Sequence, residues 1–286
     1  MSIGNQLRTV ILLGLLTGLL LFVGQLLGGT SGLIVALIFA GLMNFAAYWF
    51  SDKLALSAYG ARQVTEKEHP RLHRLVREVV QQANVPMPRV YVLPGEFSNA
   101  FATGRNPKHA AVAFSQGILN LLNDSELKGV IAHEVAHIKN RDILISSIAA
   151  TIAGVISFVA SMAQWGALFG GFSRDREGPG IVEFLILAIV TPIIATLIQL
   201  AVSRSREFQA DATGARFAHS GLGLASALEK LEADIRQKPL KLHATTESTA
   251  HMMIANPFGR LHGITALFST HPSSKERASR LRSMTF

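Results

Sequence analysis

Two long apolar runs open the chain. Thr9–Leu27 and Leu33–Phe50 carry no charged residue, and Gly28-Gly29-Thr30-Ser31-Gly32 separates them. Each is near the length needed to cross a hydrocarbon core of about 30 Å. The pattern predicts a transmembrane hairpin. A cleaved signal peptide is the alternative, but the first run is long for one and a second follows at once. Two further uncharged stretches, residues 143–173 and 184–203, flank the polar turn Arg174-Asp175-Arg176-Glu177-Gly178-Pro179-Gly180. The first is longer than a globular core helix requires, so a second transmembrane hairpin is expected. The chain then divides into a hairpin (1–52), a polar segment (53–142), a hairpin (143–203) and a second polar segment (204–286).

The polar segments have their own periodicity. Within residues 65–84, Leu72, Leu75, Val76, Val79 and Val80 share one helical face, with Pro70 near the start. Arg89–Leu93 reads as a short strand ended by Pro94-Gly95. Ser98–Thr103 and Ala110–Phe114 are further strand candidates, and Gln116–Leu122 is a short helix. Residues 124–140 form a helix with Asp124 or Ser125 as its N-cap and an apolar stripe of Leu127, Val130, Ile131 and Val135. Residues 204–238 read as helix with a break at Ser220-Gly221. Residues 239–262 read as loop, and Ser273–Ser283 as a last short helix. A small sheet packed on helices is the expected architecture.

Composition sharpens this picture. The chain is 49% hydrophobic and 16% charged, too apolar for an ordinary soluble protein. Of its 27 Lys and Arg, 24 lie in the two polar segments, which places those segments on the cytoplasmic side. The net charge of +8 goes with anionic lipid headgroups beside the spans. No aromatic-interleaved basic motif accompanies it, so nucleic acid is not an expected partner. The absence of cysteine excludes disulfides and thiolate metal sites.

The chemistry is carried by His133-Glu134-Val135-Ala136-His137, an HExxH pattern inside the 124–140 helix. Positions i and i+4 lie on one helical face, so His133 and His137 can hold one metal ion while Glu134 reaches a water bound to it. A catalytic zinc has three protein ligands and an open position. The best third candidate is Glu207, in Ser203-Arg204-Ser205-Arg206-Glu207-Phe208-Gln209-Ala210-Asp211. Asp142, His219 and His271 compete with it. Asp211 lies one turn after Glu207, suited to hydrogen-bond a ligand histidine. A metal transporter would carry ionisable residues within its spans, and only Glu183 lies near one. An inactive metal-binding scaffold would not need Glu134.

Four blocks in order extend the match: Asn99-Ala100-Phe101-Ala102-Thr103-Gly104, HEVAHIKNRD at 133–142, SRSREFQAD at 203–211, and Ser269-Thr270-His271-Pro272 with Arg277 six residues after the histidine. On these the chain resembles the HtpX family of integral membrane zinc metalloproteases, relatives of the CAAX prenyl proteases. The resemblance spans essentially the whole chain. It departs in Ser273, where a second proline is common, and in the short 173–180 turn. It implies an α+β zincin-like metalloprotease domain, mostly helical with a small sheet, combined with four transmembrane helices. It implies one Zn2+ per chain on His133, His137 and Glu207, with Glu134 as general base. It also implies that Asn99, Ala100 and Phe101 lie on an edge strand where substrate adds, that His271 stabilises the oxyanion, and that Arg277 pairs with Asp211. The implied setting is the inner membrane, both termini and the active site facing the cytoplasm. Implied partners are damaged or misfolded membrane proteins or peptides as substrates, the bilayer, and membrane-protease or chaperone proteins.

Overall fold

The computed structural model describes residues 3–149, 151–152, 204–237, 254 and 272–285. The expected spans within 153–203, the loop at 239–262 apart from Ile254, and His271 lie outside the described residues.

Helical residues run from Ile3 to Ala58 (α1) and reverse direction at Gly29, which has φ +56°. Asn44 Nδ2 donates to Thr17 Oγ1 at 2.8 Å. A straight helix would separate these residues by about 40 Å, so the two arms lie side by side. Gly24 and Gly32 make the turn possible. A Cβ on Gly24 would sit 2.6 Å from the Gly32 carbonyl oxygen. The arms are Thr9–Phe22, a shorter apolar helix, and Gly29–Ala58. Gly29–Ala58 is the one helix among the described residues long and apolar enough to cross a membrane. Leu12 and Leu16 of the first arm pack on Leu144, Ile145, Ile148 and Ile152. Leu144, Ile145, Ile148 and Ile152, just after the HExxH helix, are therefore docked on the hairpin.

Four strands form one sheet among the described residues, in the order β1 (Arg62–Gln63), β2 (Arg89–Leu93), β4 (Ala110–Ser115), β3 (Ala100–Gly104). β2 and β4 are parallel, with Arg89 opposite Ala111, while the pairs at either end are antiparallel. Strand alternation divides the two faces. Val90, Val92, Val112 and Phe114 face the main core. Leu93, Ala111 and Ala113, with Phe101, face a smaller cluster built on Ala55, Leu56 and Tyr59 at the end of α1. The sheet is thus mounted on the foot of the apolar hairpin.

The main core is closed by helices. α2 (Pro70–Ala83) buries Leu72, Leu75, Val76, Val79, Val80 and Ala83. It begins at Pro70 rather than near residue 65, because proline suits the first helical position, where an N–H has no partner. α3 (Gln116–Leu121) leads into α4 (Asp124–Asn140). The N-cap of α4 is Asn123, ahead of the expected Asp124 or Ser125. A reciprocal capping box explains the shift: Asn123 Oδ1 accepts from Glu126 N and Glu126 Oε2 accepts from Asn123 N, both at 3.0 Å. Asp124 instead accepts from Arg71 and Arg74 on α2. α5 (Arg204–Ala218), α6 (Leu222–Gln237) and α7 (Ser274–Arg282) complete the described fold.

α5 lies unusually close to α4. A Cβ on Gly214 would meet the backbone C and O of Ala132 and N of His133 at 2.8–2.9 Å. Two effects oppose each other in Gly214→Ala. Helix propensity favours alanine by about 1 kcal/mol, whereas overpacking costs about 1–3 kcal/mol when the obstructing atoms are backbone. Packing wins, and the forced separation also moves Glu207 away from His133. Gly214→Ala is expected to lower the thermal midpoint and the bound-metal content together. A thermal melt with elemental analysis measures both, and an unchanged or raised midpoint would show that the helices separate freely.

Candidate metal centre

The HExxH residues occupy the middle of α4, a helix held at both ends. At the start, the Glu126 carboxylate accepts from Ser226 Oγ and Lys230 Nζ of α6 as well as closing the capping box. At the end, Arg141 takes the left-handed conformation (φ 61°), and its N–H returns to the carbonyls of His137 and Ile138. That turn brings Asp142 back beside His137.

The two imidazoles converge, with His133 Nε2 and His137 Nε2 3.2 Å apart. Glu207, in the first turn of α5, reaches both: Oε2 is 3.7 Å from His133 Nε2 and Oε1 is 3.6 Å from His137 Nε2. Among the described residues these three form the group able to hold a metal ion, their ligand atoms lying within 4.8 Å of one another. Two donors at about 2.0–2.1 Å from a tetrahedral metal lie roughly 3.3 Å apart. The observed spacings therefore fit one ion.

Each imidazole is oriented through its other nitrogen. His133 Nδ1 lies 2.9 Å from Asp211 Oδ1, and His137 Nδ1 lies 3.3 Å from Asp142 Oδ2. A carboxylate on Nδ1 keeps the proton there and leaves the Nε2 lone pair facing the site. Asp142, weighed above as a third ligand, thus serves as a ring-orienting partner. Its signal in the sequence is weak, because only the left-handed turn at Arg141 brings it back. His219, another competitor, ends α5 at the surface beside Gln82 and is not part of the group.

Arg277 of α7 is 1% exposed and stands behind Asp211. Its Nε and Nη2 donate to the two Asp211 oxygens at 2.8 and 2.7 Å, and Nη1 donates to the Ile254 carbonyl at 3.0 Å. Nη1 also lies 3.5 Å from Glu207 Oε2. The Arg277–Asp211 pairing expected from the resemblance is present.

Burial and neighbours set the protonation of the metal-free site. Burial pushes the Glu134 carboxyl up to about 8, with the His137 charge opposing it. Burial also disfavours a charged His137, but the Asp142 hydrogen bond and the Glu207 and Glu134 carboxyls outweigh it and lift the ring to about 9. His133 is shifted down, by burial and then by Arg277. Burial raises Asp211, yet Arg277 and His133 hold it down at about 2.

β3 is an edge of the described sheet and carries Ala100 and Phe101, whereas Asn99, expected on the same strand, lies one residue before it. All three side chains are buried. Phe101 stacks on Tyr59 at 5.3 Å between centroids, and Asn99 Oδ1 accepts from Ile254 N. What this strand can offer a peptide is backbone. The Ala102 backbone is close enough to Glu134 to help hold its carboxyl down against burial.

The model of Peptidase family M48 matches residues 66–285. The chain belongs to peptidase family M48. Among the similar relatives, a protease HtpX homolog of Persephonella marina is 54% identical over 281 residues, covering 98% of this chain and 97% of the relative. The protease HtpX homolog of Pyrococcus furiosus is 51% identical, covering 99% and 96%. Ste24p of S. mikatae, known from its crystal structure, shares the fold with a TM-score of 0.51 and 19% identity. That likeness covers 97% of this chain but 65% of the Ste24p chain. This M48 peptidase is an HtpX-type membrane metalloprotease, and the His133, His137 and Glu207 group is its candidate metal centre.

The protonation states predict a coupling between metal affinity and pH. Below about 9 the His137 ring of the metal-free peptidase holds a proton that an incoming ion must displace. Apparent affinity should therefore rise with pH, by up to about a hundredfold per unit below about 8, where Glu134 also gives up its proton, by about tenfold per unit from there to about 9, and flatten above. Competition with a chelator of known proton dependence measures this. A flat profile would show that no proton is displaced.

Proposed function

We propose that this peptidase is a zinc-dependent endopeptidase of the cytoplasmic membrane that cuts damaged or misfolded membrane proteins. The observation that carries the reading is the convergence of two Nε2 atoms and the Glu207 carboxylate beside the buried Glu134. Two imidazoles and one carboxylate, in a chain without cysteine, match a catalytic zinc with an open fourth position. Zinc bound there supplies a water of greatly lowered pKa and polarises the scissile carbonyl.

The chain's residues do the rest. Glu134 takes the proton of the attacking water and passes it to the leaving amine. Its buried carboxyl, pushed up to about 8 in the metal-free site, is drawn toward the ionised form by a nearby dication. Asp211 and Asp142 hold the two rings in register. The backbone of β3 is the proposed docking edge for an extended peptide, giving affinity with little sequence demand. His271 is proposed as the donor to the oxyanion, a role worth about 3–4 kcal/mol for one well-placed group.

The setting is read from chain direction and charge. The peptidase unit comes in two parts, 53–142 and 204–286, joined by residues 143–203. Four spans with both termini on the cytoplasmic side are supported by the apolar hairpin, by its packing on residues 144–152 and by the placing of Lys and Arg. α4 ends at Asn140 and the next apolar stretch begins at Ile143. Substrates are therefore cut close to the bilayer, and partners are expected among membrane proteins, including other proteases and chaperones.

Glu134→Gln should keep stoichiometric zinc and lose about a hundred- to ten-thousand-fold in peptide cleavage. Cleavage by this variant at the parent rate would remove Glu134 as the base. His133→Ala should lose the zinc itself, and full retention on elemental analysis would remove His133 as a ligand. Chelation should abolish cleavage by the parent peptidase, and added zinc should restore it.

A further inference from the structure

A cleft of about 460 Å³ lies outside the metal centre and shares no lining residue with it. Its walls come from the end of α1 (Trp49, Lys53), the start of β2 (Arg89) and the connection between β3 and β4 (Arg105, Lys108). Four cationic side chains line it against one carboxylate, Asp52. Asp52 is already committed, its Oδ2 lying 2.6 Å from Arg89 Nη2. Among the described residues, Lys53, Arg105 and Lys108 have no carboxylate within 4 Å. Two of them rest on aromatic faces instead. The Arg105 guanidinium sits 4.5 Å from the Trp49 centroid, and Lys53 Nζ sits 5.4 Å from that of Phe50.

The cleft has an apolar approach. Val35, Ile38, Leu42, Phe45 and Trp49 follow the i, i+3, i+4 spacing of one helical face. They are exposed by 67, 63, 63, 57 and 43%, respectively. The stripe ends where Asp52 and Lys53 appear, the first charged residues after Arg8. An exposed apolar stripe running into a tryptophan and then into unpaired cations has the polarity of one lipid leaflet.

We propose that this cleft binds the headgroup of an anionic phospholipid, with its phosphodiester between Lys53, Arg105 and Lys108 and an acyl chain along the Phe45 stripe. The inference rests on the reading of Gly29–Ala58 as a membrane span. A free phosphate would use the cations and leave the stripe uncovered. A zwitterionic lipid would bring its ammonium group into a cluster of like charge. The anionic lipid satisfies both surfaces and ties the connection between β3 and β4 to the bilayer surface.

The test uses the full chain with Trp165→Phe, which leaves Trp49 as the sole tryptophan. Retained peptidase activity reports that this variant is folded. It is placed in phosphatidylcholine bilayers containing increasing fractions of phosphatidylglycerol, with bromine on the acyl chains of one lipid or the other. Brominated phosphatidylglycerol should quench Trp49 at about a tenfold lower mole fraction than brominated phosphatidylcholine. Arg105→Gln with Lys108→Gln should remove most of that preference without changing peptide cleavage in detergent. Equal quenching by the two lipids would overturn the headgroup site and leave the span standing. No quenching by either would overturn both. Inorganic phosphate bound by the parent in detergent and lost in the double variant, together with equal quenching by the two lipids, would identify a soluble phosphate as the ligand and overturn the lipid. Titration of the parent chain with fluorescent phosphatidylglycerol gives a second measurement that needs no tryptophan replacement, and a preference unmoved by the double variant would also overturn the proposal.

Discussion

The buried pair between Arg277 and Asp211 is the constraint on which the centre depends. A guanidinium taken out of water costs several kcal/mol unless its charge and donors are met. Here two of its donors meet Asp211 and a third meets the Ile254 carbonyl. Asp211 passes the constraint on through its contact with His133 Nδ1. One side chain on α7 therefore fixes a carboxylate on α5, and that carboxylate sets the ring of a candidate metal ligand on α4. Three helices far apart in the chain are locked by one charge-compensated chain of hydrogen bonds. Breaking it on either side would leave a buried charge behind, which is why the arrangement acts as a unit.

A second coupling runs from the centre toward the apolar hairpin. Thr103 Oγ1 and Ser147 Oγ are 2.6 Å apart and fully buried, which joins β3 to the helical residues just beyond α4. The same face of the sheet rests on Ala55, Leu56 and Tyr59 at the foot of α1. β3 is thus held against apolar elements, and its Ala102 backbone helps set the charge of Glu134. Displacement of the hairpin would be felt at the base of the active site through one strand. Close packing makes such transmission stiff, since interiors hold few voids to absorb a shift.

Much of this was legible in the chain. The sequence bounds of β2 agree to the residue, and those of β4 and α3 to within one, because short apolar runs and the Pro94-Gly95 stop are local signals. His133, His137 and Glu134 stand out as candidates from the HExxH pattern, whose spacing matches the helical period. Local patterns misplaced the start of α2 and the cap of α4, where a proline and a reciprocal capping box overrode the apolar stripe. β1, two residues long and exposed, has no pattern to read and exists because β2 offers it an edge.

The sequence by itself determined the chemistry of the centre: the HExxH spacing, the carboxylates one turn apart at 207 and 211, and the apolar runs on either side. Each is a short-range property, set by 3.6 residues per turn and by the length of an apolar helix. Only the tertiary structure decided that Asp142 orients His137 rather than joining the ligand set. It also decided that Gly214 lets α5 approach α4, and that the cations of the β3–β4 connection meet the foot of α1. Those outcomes depend on which distant surfaces come to touch. That depends on burial and charge compensation across the whole fold, and no local pattern carries it.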